Sequence, residues 1–162
     1  MQIRFYRADD APHLGDIYVG AIRGLAPAGY TSAQVEAWAG RVANAEETHD
    51  RCSDGRLVLV ATDHSDTPVA FIDLEDDGHI DMMFCRPDWA GRRVASALFR
   101  SIEAAAMERH MPRLYTEASE IAKPVFSKWG FNLVRRNDME IDGIAIHNYI
   151  MEKPLGGGGA GD

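Results

Sequence analysis

The sequence predicts an α/β domain with a mixed, mostly antiparallel sheet of six to seven strands and helices on both faces. The predicted elements run in the order strand, two helices, three strands, helix, strand, helix and a final strand pair. Strands and helices that alternate in this way build a layered α/β fold. The turns Asp76-Asp77-Gly78 and Asp142-Gly143 join neighbouring strands and are typical of antiparallel hairpins.

The first part of the chain contains one strand followed by helices. Residues 2–7 alternate as a strand, with Ile3 and Phe5 on one face. Residues 14–25 and 31–42 carry apolar side chains at helical spacing, and a segment rich in Gly and Pro separates them. The predicted N-caps are Asp9 or Asp10 for the first helix and Thr31 or Ser32 for the second.

The remaining elements follow from the same two periodicities. We predict strands over residues 57–61, 69–74, 80–85, 114–117, 131–141 and 144–151, and helices over residues 46–52, 94–109 and 118–128. Gly130 follows the last of these helices, in a position suited to a C-cap.

Length and composition indicate one globular domain. A chain of 162 residues can bury a core as a single unit, which we place at residues 1–155. The Gly-rich segment 156–162 cannot bury surface, and we predict that it is disordered. Cys52 and Cys85 are too few for a disulfide framework. The six histidines form no ligand-like pattern, so we predict no metal site.

The charge and hydropathy of the chain exclude some classes of partner. The net charge of −8 argues against nucleic-acid binding, which needs a basic surface, and is consistent with attraction of a cationic amine. No apolar run approaches the ~18 residues of a membrane span, and the first residues lack a secretion-signal pattern. The simplest location is therefore the cytoplasm, with no membrane partner.

The most informative segment joins the strand at residues 80–85 to the helix that begins near Val94. A Pro-Asp-Trp corner at residues 87–89 and a short basic loop at residues 90–93 lie between them. Backbone N–H groups left over at the start of a helix favour an anion, and the two arginines of the loop add positive charge there. The segment therefore predicts a cradle for a phosphate group.

This segment resembles motif A of the GNAT N-acetyltransferases, whose fingerprint is Gln/Arg-x-x-Gly-x-Gly/Ala. The matching residues are 90–95, and Ala95 fits the last fingerprint position. The resemblance extends over roughly residues 2–153. Its flanking matches are the Pro-x-aromatic corner at residues 87–89, the helix start at residues 94–99, and Ala122, Phe126 and Gly130-Phe131 downstream.

Three residues differ from the pattern of that family. Ala90 stands where Gln or Arg is usual. Arg93 stands where Gly is usual, so that either residue 93 has an ordinary φ or the loop is reshaped. Phe126 replaces a Tyr that often protonates the departing CoA thiolate. Because a thiol has a pKa near ~8.5, its thiolate leaves fairly well without that proton, so we expect a slower reaction or another donor.

The resemblance implies acetyl-CoA as co-substrate and a GNAT-like sheet that is splayed between its fourth and fifth strands. It also implies that the pantetheine arm lies along the fourth strand, where backbone N–H groups near residues 83–85 form an oxyanion hole. Ser119 stands where an Asn often contacts the pantetheine. The expected cofactor-binding residues are Met83, Phe84, Cys85, Gly91, Arg92, Arg93, Val94, Ala95, Ser96, Ser119 and Phe126.

The implied reaction is direct attack of an amine on the thioester while both substrates are bound, and the amine must first lose a proton. Asp81 is the first candidate for the base, because burial in an apolar strand raises a carboxyl pKa. It could instead be a structural residue paired with an Arg or a hydroxyl. Glu117 is the second candidate, and a chain of waters is a third route. Tyr115 is a candidate donor to the thiolate in place of Phe126, whereas His79 is predicted to be solvated.

Tyr30 and Trp38 are expected to wall the amine site, in the region that varies most across the family. Trp38 also has the spacing of a core residue. The implied function is acetyl transfer to a primary amine of a small molecule or peptide. A catalytically weak acyl-CoA-binding sensor or interaction module is an alternative, and an unrelated phosphate-binding α/β domain is another. The terminal hairpin could also support a homodimer.

Overall fold

A computed structural model describes residues 1–42 and 44–156 of the chain. The helices are α1 (Ala11–Leu25), α2 (Ser32–Ala39), α3 (Ala45–Cys52), α4 (Val94–Glu108) and α5 (Lys123–Lys128). The strands are β1 (Gln2–Phe5), β2 (Leu57–Thr62), β3 (Pro68–Leu74), β4 (His79–Ile80), β5 (Met83–Cys85), β6 (Arg113–Ala118), β7 (Asn132–Ile141) and β8 (Ile144–Pro154). The tail predicted at residues 156–162 lies outside the described residues, except for Gly156.

The strands form two four-stranded sheets, one with the order β1-β2-β3-β5 and the other with the order β4-β6-β8-β7. All neighbouring strands are antiparallel except β4 and β6, which are parallel. The prediction of a mixed, mostly antiparallel arrangement is therefore confirmed. The prediction of one strand over residues 80–85 is wrong, because that segment is divided into β4 and β5, which belong to different sheets. The sheet is thus splayed between its fourth and fifth predicted strands.

A buried carboxylate holds the point at which the fourth strand divides. Asp73 of β3 is 0% exposed, and its Oδ1 accepts the backbone N–H groups of Asp81 (2.9 Å) and Met82 (2.8 Å). Its Oδ2 accepts a hydrogen bond from Nη1 of Arg56 at 2.7 Å. Burial raises the pKa of Asp73 to about 6, against the opposing effects of the Met82 N–H and Arg56. The carboxylate therefore replaces the strand partner that these two amides lack.

Helices cover both faces of the sheet formed by β1, β2, β3 and β5, because alternate residues of its strands belong to different apolar clusters. The cluster with α1 contains Leu14, Ile17, Val58, Val60 and Phe71. The cluster with α4 contains Leu59, Ile72, Leu98, Ile102 and Ala106. Burial of each large apolar side chain contributes about 1.5–3 kcal/mol relative to its exposure to water. The prediction of helices on both faces is confirmed.

The two predicted helix caps have different outcomes. Oγ1 of Thr31 accepts the backbone N–H of Gln34 at the start of α2, as predicted. Asp10 precedes α1 but makes no side-chain cap. Its carboxylate instead accepts the backbone N–H of Arg7 (2.8 Å) and pairs with Arg4 (2.7 Å). The Asp10 carboxylate is therefore used by Arg4 and the Arg7 N–H and does not cap α1.

Gly78 allows the hairpin before β4 to lie against β6. It has a φ of +92°, and a Cβ built on it would come within 2.2 Å of the carbonyl oxygen of Arg113. We expect Gly78→Ala to lower the free energy of unfolding by roughly 2–3 kcal/mol, because backbone must move in addition to the strain of a positive φ. Urea denaturation measures this loss.

Gly143→Ala is the matched control for Gly78→Ala. Gly143 has a φ of +78°, but an added Cβ would meet no atom within 4 Å. Its substitution should therefore cost only the strain of the left-handed backbone, about 1 kcal/mol. Equal losses in the two variants would show that the close approach to Arg113 is unimportant.

Candidate active site

The divergence of the two sheets opens a cleft between β5 and β6. His79 and Ile80 pair in parallel with Tyr115 and Thr116, and Oγ1 of Thr116 donates to the carbonyl of Ile80 at 2.8 Å. Beyond this point β5 pairs with β3, whereas β6 pairs with β8. A cavity of about 310 Å³ lies in the cleft. The predicted site residues that line it are Tyr30, Trp38, Asp81, Met83, Phe84, Glu117, Ser119 and Phe126.

The edge of β5 that faces away from β3 carries unpaired backbone groups. Arg86 N–H donates to Val69, and Asp73 N–H donates to Met82, so these pairs are hydrogen-bonded across the ladder. Bonded and non-bonded pairs alternate along antiparallel strands, so the N–H groups of Met83 and Cys85 point away from β3. Among the described residues no strand pairs with β5 on that side. The edge can accept an extended ligand as an added strand.

The loop before α4 has the conformation of an anion-binding site. Gly91 has a φ of +77° and Arg93, at the N-cap, has φ +62° and ψ +15°, in the left-handed region. Ala97 N–H makes a helical bond to Arg93 O at 3.0 Å, and the three residues before it expose helix-start amides. Successive amides in such a turn form a concave anion site. The residues present therefore fit a phosphate group.

The expectation for Arg93 is wrong in its physical premise. Neither an ordinary φ nor a reshaped loop is needed, because the arginine itself adopts the left-handed conformation usual for Gly. This costs about 1–2 kcal/mol relative to Gly, which the rest of the fold must offset.

Arg92 lies over the ring of Trp89, with 5.1 Å from its guanidinium carbon to the ring centroid. Neither arginine lines the cavity, and nor do the other predicted residues of this loop.

His79 and Glu117 form a charged pair at the apex of the cleft, and both line the cavity. Nε2 of His79 lies 2.5 Å from a carboxylate oxygen of Glu117, and Nδ1 lies 3.1 Å from Glu75. Burial alone would lower the pKa of His79, but Glu117 and the nearby acids raise it to about 9. His79 is a cation at neutral pH, and its side chain is 15% exposed, so the prediction of a solvated histidine is wrong.

Asp81 lies in the same cavity but has two arginine partners. It pairs with Arg51, and Nη1 of Arg56 lies 3.2 Å from the same oxygen. Burial opposes its ionisation, but the charge and hydrogen bonds of the arginines outweigh this and lower the pKa of Asp81. The structure thus shows the arginine pairing that was the alternative to a catalytic base at this position.

Tyr115 does not line the cavity, and the structure does not bring it together with the other candidates. Its hydroxyl donates to Asp77, which raises the pKa of Tyr115 to about 12. Its ring stacks on His79 with centroids 4.7 Å apart. Phe126 is 2% exposed and presents no donor. Neither position 115 nor position 126 therefore places a tyrosine hydroxyl in the cavity, where it could protonate the thiolate.

Tyr30 and Trp38, the two residues predicted to contact the amine substrate, both line the cavity. Tyr30 is 8% exposed, and its hydroxyl donates to the carbonyl of His147 (3.0 Å) and accepts the backbone N–H of Glu120 (2.9 Å). Trp38 meets the Tyr30 ring edge to face, 5.7 Å between centroids. Both residues are therefore walls of the cavity that are themselves held by packing and hydrogen bonds.

Several lining residues escaped the sequence analysis. They are Tyr18, Arg41, Arg51, Asn137, Met139, His147 and Asn148. These residues come from α1, from the segments around α2 and α3, and from the β7–β8 hairpin. Their local patterns are those of ordinary helices and strands, so no signal in the sequence marks them as site residues. These residues come together because the β7–β8 hairpin packs against the helices.

The described residues contain no group of three or more His, Cys, Asp or Glu side chains placed to hold a metal ion. Among the helices described, none combines the length and the apolar character needed to cross a bilayer.

Comparison with known proteins gives consistent matches. Residues 27–153 match the model of the acetyltransferase (GNAT) domain. The chain is 30% identical over 151 residues to the uncharacterised N-acetyltransferase YafP of Escherichia coli, covering 93% of this chain and 94% of that protein. A GCN5-related N-acetyltransferase from Rhodopseudomonas palustris is 34% identical, with a TM-score of 0.89 and 95% of each chain covered.

A more distant structure shares the fold. The acetyltransferase yncA of Salmonella typhimurium, solved with acetyl-CoA, is 14% identical with a TM-score of 0.76, covering 100% of this chain and 98% of that chain.

Proposed function

The chain belongs to the GNAT family of acetyl-CoA-dependent N-acetyltransferases, and we propose that it acetylates a primary amine of a small molecule or peptide by direct attack within a ternary complex. One observation carries this proposal. The unpaired edge of β5 and the Glu117–His79 pair face one cavity, which provides a place for a thioester beside a proton acceptor.

The loop at residues 91–96 and the edge of β5 would hold acetyl-CoA. The amides at the start of α4 bind the diphosphate, and Arg92 and Arg93 add positive charge. The N–H groups of Met83 and Cys85 point away from β3, and Met83 lines the cavity. They would bind the pantetheine arm or the carbonyl oxygen of the thioester. An N–H held in place by a strand stabilises the developing oxyanion without reorganisation.

Glu117 is the residue to which we assign the amine proton. Its carboxylate lines the cavity, and His79 orients it through one oxygen. Asp81 is less suited, because Arg51 and Arg56 lower its pKa and occupy it. In the proposed step the ammonium group first gives one proton to Glu117, and the neutral nitrogen then bonds to the acetyl carbon as the carbon–sulfur bond breaks. The second proton, lost from the nitrogen as the amide forms, passes to solvent. The CoA sulfur leaves as the thiolate.

No side-chain hydroxyl is assigned to the departing thiolate. Phe126 has none, and the hydroxyl of Tyr115 is held by Asp77 outside the cavity. With an ordinary thiol pKa near ~8.5, CoA remains a fair leaving group as the anion. We therefore expect a lower turnover than that of an enzyme with a positioned donor. The difference should not exceed the roughly 10²–10⁴-fold that a general acid typically contributes.

The test is release of CoA from acetyl-CoA in the presence of a panel of primary amines, with matched secondary and tertiary amines as controls. We expect at least one class of primary amine to give turnover above the hydrolysis of acetyl-CoA alone, with an N-acetyl product seen by mass spectrometry. Binding of acetyl-CoA without acetylation of any amine in a broad panel would contradict the proposal.

A further inference from the structure

We propose that the acceptor is an amino acid, that is, a primary amine that also carries a carboxylate, and that Arg41 binds the carboxylate. This inference rests on the proposed acetyl transfer. It adds a specificity-determining residue to the site and names the class of amine that enters it.

The first support is that Arg41 has no counter-ion among the residues that the structure describes. It follows α2, its backbone N–H donates to the carbonyl of Trp38 at 3.2 Å, and it lines the cavity. Within residues 1–42 and 44–156 its guanidinium makes no hydrogen bond or ion pair. Glu47 of α3 lines a smaller pocket together with Arg41 and Arg51, beside the main cavity.

The second support is that the other basic side chains of the cavity all face a carboxylate. Arg51 pairs with Asp81. His79 pairs with Glu117, and His147 pairs with Glu120 at 2.5 Å. Among the described residues, Arg41 is thus the one basic side chain lining the cavity that has no carboxylate partner, and in a chain with a net charge of −8 it offers a site for an anion.

The third support is a further donor in the same cavity. Nδ2 of Asn137 donates to Oδ1 of Asn148 at 2.9 Å, which orients the amide of Asn148. The Nδ2 group of Asn148 then meets only the weakly accepting sulfur of Met139, at 3.7 Å. Because this acceptor is weak, the Asn148 amide can donate to a carboxylate oxygen of the ligand instead, with little loss of free energy.

The remaining lining suits the body of an amino acid. Trp38, Phe84, Met139 and Ile146 provide apolar walls, and about 310 Å³ is at the lower end for small-molecule sites. The carboxylate oxygen of Glu117 that His79 does not contact can accept a hydrogen bond from an ammonium group, whereas Arg41 attracts a carboxylate. The cavity therefore presents an acceptor for the ammonium group and a cation for the carboxylate of a zwitterion, around an apolar space for its side chain.

The experiment compares amino acids with their own amides, which keep the amine and the side chain but lack the negative charge. We would measure kcat/KM for phenylalanine and phenylalaninamide, and for leucine and leucinamide, with wild type and Arg41→Gln. In the wild type, we expect the acid to be preferred at least about tenfold, the usual size of one charge-assisted hydrogen bond. In Arg41→Gln this preference should disappear, through a raised KM for the acid.

Arg7→Gln is the matched control. It removes the same charge at an exposed arginine that pairs with Asp66 and does not line the cavity. It should keep the preference for the acid. If it also loses the preference, the effect is one of total charge, and the role of Arg41 is overturned.

A binding measurement separates this inference from the proposed function. With CoA present, we would titrate N-acetylphenylalanine and its amide into wild type and Arg41→Gln by calorimetry. Tighter binding of the acid that is lost in Arg41→Gln supports the inference even if no amine is acetylated. Equal binding of acid and amide overturns it. Efficient acetylation of amines regardless of a carboxylate leaves the proposed function standing and overturns the inference alone.

Discussion

Glu117→Gln is expected to lower kcat by about 10²–10⁴-fold with little change in the KM for acetyl-CoA. The glutamine keeps the shape of the side chain but cannot accept the amine proton at neutral pH. Steady-state kinetics on the best amine of the panel measures the loss. The pKa of His79, about 9 in the intact pair, should fall at the same time, because burial lowers it and the carboxylate of Glu117 no longer raises it. A histidine NMR titration reports that fall independently of activity.

Two further variants decide whether the effect belongs to Glu117 itself. Glu152→Gln removes an exposed carboxylate of β8 that pairs with Arg113 at 2.9 Å, outside the cavity, and should keep full turnover. Asp81→Asn tests the competing base. A loss of less than about threefold in Glu117→Gln, or a larger loss in Asp81→Asn, would show that Glu117 does not take the proton.

Asp73→Ala is expected to lower the free energy of unfolding by about 3–5 kcal/mol. It leaves the N–H groups of Asp81 and Met82 without their acceptor and removes one carboxylate partner of the half-buried Arg56. Because those amides mark the division between β4 and β5, the cleft should also lose its shape, and the KM for acetyl-CoA should rise. Urea denaturation and steady-state kinetics measure the two effects.

Asp73→Asn separates the two duties of this carboxylate. An asparagine oxygen can still accept the two backbone N–H groups, whereas the charge opposite Arg56 is lost. We therefore expect a stability loss clearly smaller than that of Asp73→Ala, and a KM for acetyl-CoA close to that of the wild type. Equal losses in the two variants would mean that the ion pair, and not the capping of the divided strand, stabilises this region.

The phosphate cradle before α4 was predicted from local patterns alone, because its signals are adjacent in sequence. A strand, a Pro-aromatic corner, a basic loop and a helix start lie within residues 80–96. The same local reasoning failed at Arg93. An arginine disfavours a left-handed backbone, and only the surrounding fold can impose that conformation on it. It failed at Asp81 and Met82 because an apolar run does not reveal that a carboxylate elsewhere accepts its amides.

The charged groups of the cavity show the same limit. His79 follows a turn glycine and has the local pattern of a solvated residue, but Glu117 comes from a strand distant in sequence to enclose it. Arg41 follows a helix and is exposed, and only the arrangement of remote segments makes it a lining residue of the cavity. Pairing between remote segments, and not residue type, decided which of these side chains have counter-ions.

By itself the amino-acid sequence determined the order of strands and helices, the two-sided packing and the family resemblance, and it carried the prediction of an anion site at the start of α4, since each depends on neighbours along the chain. The tertiary structure alone decided where the fourth strand divides, which carboxylate lies in the cavity beside a histidine, and which arginine of the cavity has no carboxylate partner among the described residues. Those choices depend on long-range contacts, because burial and charge pairing arise only when distant segments meet.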